Sequence, residues 1–443
     1  MSSRVQRLID TEPMRHLASV QQLGLVALVY PGATHNRLEH SIGVYAYARR
    51  LCEQLELRHD GFESDSLAQD AFLVASLLHD CGHYPFCHPI EDMALGKQHV
   101  GETKIKHESR VAKIIHESDI AGLLDRDWSC SAEDVMAILC PPKDVVSGEQ
   151  RTDADDAFAF YASCLSGPID VDKIDYLQRD SLHAGVPYGR NFDPDRILGS
   201  LCRHPNEPRL ALTAKGRTAA EMMVFSRYVM FSEVYWHHTV RAATAMLQRA
   251  LFELTTPSEE VPRVSLGAWM SLREWEWIER LRGAVLPFPN LSPLVEGLFG
   301  GTRQLYKRLA QFDFLHGHAV HRRLAHRPYW FLVEVSRRLA HAMRQRWGWD
   351  IDETQVLVDA PPVKLEVDIN IDVIDIDGVA TLEDVSPVVS VLARHQFDNH
   401  VKRVRVFVAP CFQGRLGGHV HRTHEEVTDL IVNVVDRCQE ELA

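Results

Sequence analysis

The sequence predicts a mostly α-helical protein: a large helical body over residues 1–346, followed by a smaller α+β lobe over residues 347–443. Three observations predict it. Apolar residues in the first part recur at three- and four-residue spacing, as helices buried on one face require. After about Trp347 the texture changes to period-two alternation. Finally, three blocks rich in His and Asp lie on or beside separate apolar stretches of the first part.

The elements follow in order. Leu38–Leu57, Leu67–Leu78 and Ala219–Leu254 carry the helical period. Breaks are expected at the acidic stretch Ser147–Asp156, read as a solvated loop, at Thr256–Pro262, and at the Pro-rich run Leu286–Pro293. In the lobe, Val363–Ile376 and Val401–Val408 alternate with period two and predict strands. Leu382–Ala393 and Glu425–Val435 predict helices. No internal repeat or low-complexity tract is apparent.

Composition narrows the function classes. The 443 residues are 45% apolar and 25% charged, an ordinary globular balance. A formal charge of −13 argues against a general nucleic-acid or anionic-membrane coat, while leaving room for a local phosphate pocket. No apolar run reaches the ~18 residues of a membrane span, and MSSRVQRLID lacks a signal-peptide core. Nine scattered cysteines without CxxC predict a reduced, cytoplasmic protein.

The chemistry is carried by YPGATHNRLEHSIGVYAY at 30–47, LLHDCGHYPFCH at 77–88 and IDVDKIDYLQRDSLH at 169–183. His40, His79, Asp80 and Asp172 offer two imidazoles and two carboxylates, a set suited to a divalent ion such as Mn, Fe, Mg, Ni or Zn with positions left open. The absence of thiolates argues against a structural zinc site; Cys81 and Cys87 are expected to be packing residues. Arg37 stands three residues before His40 on the same expected helix. Asp172, Tyr176, Arg179, Asp180 and His183 fall on one helix face, with Lys173 on an overlapping stripe. A metal beside Arg37 and Lys173 suits a polyphosphate; the plainer alternative pairs these cations with Glu39 or Asp175 at the surface. His83, His88 and His107 are candidates for proton transfer or phosphate binding, and GHYPFCHP is expected to be a loop. If His88 begins a helical turn, Glu91 can hold and charge it. Arg227, Phe231, Tyr235 and His238 form one stripe, read as core or as the wall of a polar pocket.

With HNRLEHS, HDCGH-x-PF-x-H and DVDK-x-DY-x-x-RD present in order, the chain resembles the HD-domain deoxynucleotide triphosphohydrolases, the branch with a vertebrate sterile-alpha-motif member and bacterial dNTPase relatives. The resemblance implies an HD-type helical catalytic body, with His40, His79, Asp80 and Asp172 holding the metal. It places Arg37, Lys173 and Arg227 on the triphosphate, and His83, His88 and His107 around the α-phosphate. His88 is then the favoured acid, and Glu91 and Glu108 the orienting carboxylates. Gln22 and Asp180 would meet the sugar 3′-hydroxyl, with Leu23 in the family's QLG segment. Tyr176 and Tyr235 would pack on the sugar. The implied activity releases a deoxynucleoside and inorganic triphosphate from a dNTP, and the implied assembly is a homo-oligomer, a dimer or tetramer. An HD phosphodiesterase acting on another phosphate ester, or a nucleotide-binding regulator, are the alternatives. Nucleotide-activated members carry a hairpin before the first helix, and with this sequence beginning almost at that helix no such hairpin is expected. The chain also has Ala18 where they place a guanine-reading arginine, although Asp10 is retained. Activity without obligatory GTP is therefore expected.

Overall fold

The computed structural model describes residues 2–57, 65–95, 106–141, 152–256, 264–314, 319–362, 370–394, 401–412 and 420–442. Among the helices are α1 Arg37–Leu57, α2 Ser66–Leu78, α3 Cys87–Asp92, α4 His107–Glu117, α5 Asp153–Leu165, α6 Val171–Ala184 and α7 Arg217–Met230. Among the described residues the strands are β1 Leu201–Arg203, β2 Leu210–Thr213, β3 Lys307–Phe312, β4 Val356–Asp359, β5 Asp372–Asp375, β6 Gly378–Thr381 and β7 Val404–Val408. The mostly helical class expected from the sequence is observed. Among the described residues no helix is long and apolar enough to cross a membrane.

The chain forms two compact units that do not follow its order. The first is built from residues 1–84, 106–230 and 367–395, the second from 85–105, 231–366 and 396–443. Residues after 346 are therefore distributed over both.

In the first unit, α2 is the central helix. Its start is capped by the Asp65 carboxylate, which accepts from the Leu67 and Ala68 N–H groups. Every residue from Ala71 to Leu78 is buried, as a helix covered on all sides requires. Helices α1 and α5 pack on α2, and α6 packs on α1. The acidic Asp153–Asp156, expected in a loop, forms the first turn of α5 under a Thr152/Asp155 capping box. Carboxylates there also complement the positive end of the helix dipole; residues 147–151 lie outside the described set. A sheet of order β1-β2-β5-β6 closes this unit, antiparallel except for the parallel β2–β5 pair.

The second unit holds an antiparallel sheet of order β3-β7-β4. The helix Tyr329–Trp347 packs on β4, and Val420–Leu442 packs on that helix. The strand expected over VRVFV is observed as β7, and all five of its residues are buried because it is the central strand. Arg405 in β7 is accordingly buried and donates to Gln311 Oε1 on β3.

The two expected C-terminal strands are seen as β5 and β7, in different sheets; residues 363–369 of the first expected strand lie outside the described residues, as do 257–262 of the Thr256–Pro262 break. Two further expectations change. Strands β1 and β2 interrupt the part expected to be helical, and their sheet is completed by β5 about 160 residues later. Finally, Ala219–Leu254 is not continuous. A π-helical turn at Phe231–Tyr235 separates α7 from the helix His238–Thr255. A π turn shifts the helical phase, so the Arg227–His238 stripe does not persist as one helix face.

Candidate metal centre

All four expected ligands lie in the first unit, delivered by α1, the end of α2 and the start of α6. Asn36 Oδ1 accepts the Glu39 N–H, which starts α1 and sets Arg37 and His40 in its first turn. His79 is the C-cap of α2 and Asp80 follows it. Asp170 caps α6 by accepting the Lys173 N–H at 2.7 Å, so Asp172 projects from the first turn.

The donor atoms converge. His40 Nε2 lies 3.0 Å from Asp172 Oδ1 and 3.3 Å from His79 Nε2. His79 Nε2 is 3.4 Å from Asp80 Oδ1 and 3.8 Å from Asp172 Oδ1. The far nitrogens are committed elsewhere: His40 Nδ1 to Asp175 Oδ2 at 2.8 Å, and His79 Nδ1 to the Ser76 carbonyl at 3.0 Å. With Nδ1–H donating outward, each Nε2 turns a lone pair inward. The two lone pairs and the Asp172 carboxylate face one point, with Asp80 Oδ1 beside His79; such a set repels itself unless a cation lies among its members, so these residues fit a divalent ion.

The electrostatics agree. Burial disfavours charge on His40, but the hydrogen bonds and charges of Asp172 and Asp175 outweigh it and raise its pKa well above the usual range. These carboxylates thereby draw to Nε2 a proton that a divalent ion would displace to reach the lone pair. Burial would raise Asp80, yet His83, His79, Arg37 and His40 hold it well below the usual carboxylate value. Asp172 is brought down to about 2 against its burial, chiefly by His40. The centre is poised to be ionised and to accept positive charge.

The cations do not pair at the surface in the way the plainer alternative supposed. Arg37 is buried, and its Nη1 donates to Asp80 Oδ2 at 2.9 Å. Lys173 Nζ sits 2.5 Å from Asp170 Oδ2. Glu39 and Asp175 are instead taken by Arg179: Nη1 to Glu39 Oε1 at 2.6 Å, Nε and Nη2 to the two Asp175 oxygens at 2.8 Å each. Burial opposes charge on Lys173, and Asp170 restores it while Arg227 works against it. Arg227, buried on α7, thus lies within electrostatic range of Lys173 and Tyr176.

Other sites fall as follows. His83 Nδ1 is 3.3 Å from Asp80 Oδ1, and its ring lies 3.9 Å from that of His107, at the start of α4. A Cβ on Gly82 would meet the His107 carbonyl at 2.3 Å, so glycine in HDCGH lets α4 approach. Glu108 is exposed in the first turn of α4. The Gln22 N–H donates to the His35 carbonyl, and Leu23 starts the turn Gly24–Leu28. His35 Nε2 is 2.9 Å from Asp180 Oδ1, so His35 links the two residues expected at a sugar hydroxyl.

In the second unit, the expected loop ends at Phe86, which adopts φ 56°, and α3 begins at Cys87. His88 and Glu91 are therefore i, i+3 on a helical turn, with His88 exposed. Glu91 Oε1 accepts the Cys87 thiol at 3.3 Å. Tyr235 ends the π turn and meets Phe231 edge-on at 5.0 Å.

Sequence reasoning gave no role to His35 or Asp170, offered Asp175 and Glu39 only as surface partners of Arg37 and Lys173, and put Arg179 on a helix face without a partner. The signal available was position: Asp175 follows Asp172 by three residues and Arg179 by seven, which is one helix face. Gly43 is a further sign. A Cβ there would lie 2.0 Å from Asp175 Oδ1 and 2.2 Å from Arg179 Nη2. Intrinsic propensity favours alanine by about 1 kcal/mol at a helix interior. Steric displacement of the Asp175–Arg179 pair should outweigh that, and overpacking costs about 1–3 kcal/mol. Gly43→Ala should therefore unfold at lower urea than the wild type; a more stable variant would contradict this packing.

Residues 37–140 match the model of the HD domain, and residues 192–423, just over half of the chain, match that of the HD associated region. The chain belongs to this HD-domain family of phosphohydrolases. It is 26% identical over 395 residues to a protein of Methanocaldococcus jannaschii, covering 86% of this chain and 70% of that one. It is 32% identical over 271 residues to the deoxynucleoside triphosphate triphosphohydrolase SAMHD1 of Xenopus laevis, covering 55% of this chain. The match spans 42% of the Xenopus protein's length. A crystal structure of a hypothetical protein from Aquifex aeolicus superimposes with a TM-score of 0.68 at 25% identity, over 95% of this chain and 96% of that one.

Proposed function

We propose that this protein hydrolyses deoxynucleoside triphosphates to deoxynucleoside and inorganic triphosphate, using a divalent ion held by His40, His79, Asp80 and Asp172. The observation that carries this reading is that Lys173, beside the ligand Asp172, and Arg227 lie close enough to feel each other's charge, in the unit that holds the ligands. The resemblance to SAMHD1 supports it. Arg37 Nε is buried with no hydrogen-bond partner among the described residues, a donor suited to a phosphate oxygen.

When bound, the ion supplies Lewis-acid polarisation of a phosphoryl group. Arg37, Lys173 and Arg227 neutralise the remaining triphosphate charge. His83 and His107 face the reacting phosphate, and His88 donates the proton to the departing 5′-oxygen, with Glu91 and Glu108 as orienting carboxylates. Gln22, Leu23 and Asp180 receive the sugar, packed by Tyr176 and Tyr235. The ion is Mn, Fe, Mg, Ni or Zn. The protein acts in the cytoplasm as a homo-oligomer.

The test is incubation with each of the four dNTPs and Mn²⁺, followed by chromatographic identification of products. Deoxynucleoside plus tripolyphosphate is expected. Deoxynucleoside monophosphate plus pyrophosphate, or no product despite tight binding, would replace this reading with another phosphohydrolase or a regulator.

Two outcomes accompany it. A ribonucleotide would press its 2′-hydroxyl against Tyr235 and lose hydration without a partner, a cost of roughly 1–3 kcal/mol. GTP should therefore be a poorer substrate than dGTP, and Tyr235→Ala should narrow the gap; equal wild-type rates would refute this account. Ala18, at the C-terminal end of the helix Glu12–Leu17, has no guanidinium for a guanine edge. Hydrolysis of dATP should proceed without added GTP, and a strict GTP requirement would show that another residue makes that contact.

A further inference from the structure

We infer that Asp175, braced by Arg179 and Glu39, is the positioning residue that fixes His40 as a ligand through Nε2 and strengthens it as a donor. The inference rests on the metal reading of His40. The two ligand imidazoles are held unequally. His79 gives its Nδ1–H to a neutral carbonyl, that of Ser76, whereas His40 faces the Asp175 carboxylate at 2.8 Å. A charged acceptor raises the basicity of the opposite nitrogen and fixes the tautomer and the ring plane.

Asp175 cannot swing away. It is 2% exposed, and Arg179 grips both of its oxygens in a fork. The third arm of Arg179 reaches Glu39 Oε1, which also meets His183 Nε2 at 3.1 Å. Glu39 lies one residue before His40 on α1, while Asp175 and Arg179 lie on α6. The network therefore ties the helix bearing His40 to the helix bearing Asp172 by charge-assisted bonds, and holds the spacing between two ligands. Gly43, one turn after His40, leaves the space that the Asp175–Arg179 fork occupies.

The experiment measures Mn²⁺ and Zn²⁺ binding to metal-depleted protein by calorimetry, for the wild type, Asp175→Asn, Glu39→Gln and His40→Ala. Asp175→Asn should bind about 10–100-fold more weakly, the usual effect of losing such a support. Glu39→Gln, changed at the half-exposed end of the network, should bind more weakly than wild type by a smaller factor and keeps the test open if Asp175→Asn does not fold. In ¹⁵N-labelled, Zn²⁺-loaded wild type, NMR should show His40 coordinated through Nε2 with its Nδ1–H in slow exchange, a signature that a merely structural Asp175 would not set. Coordination through Nδ1, or unchanged affinity in both variants while His40→Ala loses the ion, would overturn the inference. Failure of the metal reading looks different: His40→Ala would then bind as the wild type does, or the wild type would take up neither ion.

Discussion

Replacing His79 or Asp80 by alanine is expected to abolish both metal retention and phosphohydrolase turnover. His79 Nε2 stands within 3.8 Å of donors on His40, Asp80 and Asp172, so its loss removes the atom about which the set converges. Asp80 carries one oxygen toward His79 and gives the other to Arg37. Its loss leaves the Arg37 guanidinium buried without its counter-ion beside a site meant for a cation. Both substitutions leave the other ligands short of a full shell, and binding falls with ligand number. Elemental analysis of the purified variants, alongside product formation, checks this. Wild-type metal content in both would sink the ligand assignment, whatever the activity showed.

Lys173→Met should destabilise the first unit by about 3 kcal/mol, near the lower end of the cost of removing one partner from a buried ion pair. Asp170 is fully buried and its Oδ2 faces Lys173 Nζ at 2.5 Å. Two backbone donors, Gly167 N–H and Lys173 N–H, remain on the carboxylate in the variant, which keeps the loss from being larger. Burial already raises the Asp170 pKa with the lysine present, so without it the carboxyl would favour its neutral form. Urea unfolding of the single variant and of Asp170→Asn/Lys173→Met gives the measurement. The double variant should recover part of the loss, since asparagine still caps α6 and no buried charge is stranded. If Lys173→Met unfolds with the wild type, the pair contributes nothing to stability and Lys173 serves the ligand alone. The proposed phosphate role predicts weaker dNTP binding in the same variant.

Much of the metal centre is legible in the amino-acid sequence. His40, His79, Asp80 and Asp172 lie in three blocks whose own periodicity fixes where each side chain leaves its helix, and the caps at Asn36, Asp65 and Asp170 are local in sequence. Helix formation depends on neighbours three and four residues away, so α1, α2 and α6 can be drawn from the chain alone. The π turn at Phe231–Tyr235 cannot, because it costs local helical phase and exists only where packing sustains it.

What the sequence by itself determined is therefore the mostly helical class, the order of the blocks and the candidate ligands on them. The tertiary structure decided the partners. Arg37 had Glu39 close in sequence and Lys173 had Asp170, Asp172 and Asp175, but the packing of α1 on α6 gave Glu39 and Asp175 to Arg179, leaving Asp80 for Arg37 and Asp170 for Lys173. Likewise β5 found β2 and β7 found β3 and β4, although β5 and β7 share one alternating texture. Periodicity records which face of an element is apolar. The Arg37–Asp80 and Arg179–Glu39 pairs and the strand partners are set by contacts between residues far apart in the chain, which periodicity does not contain.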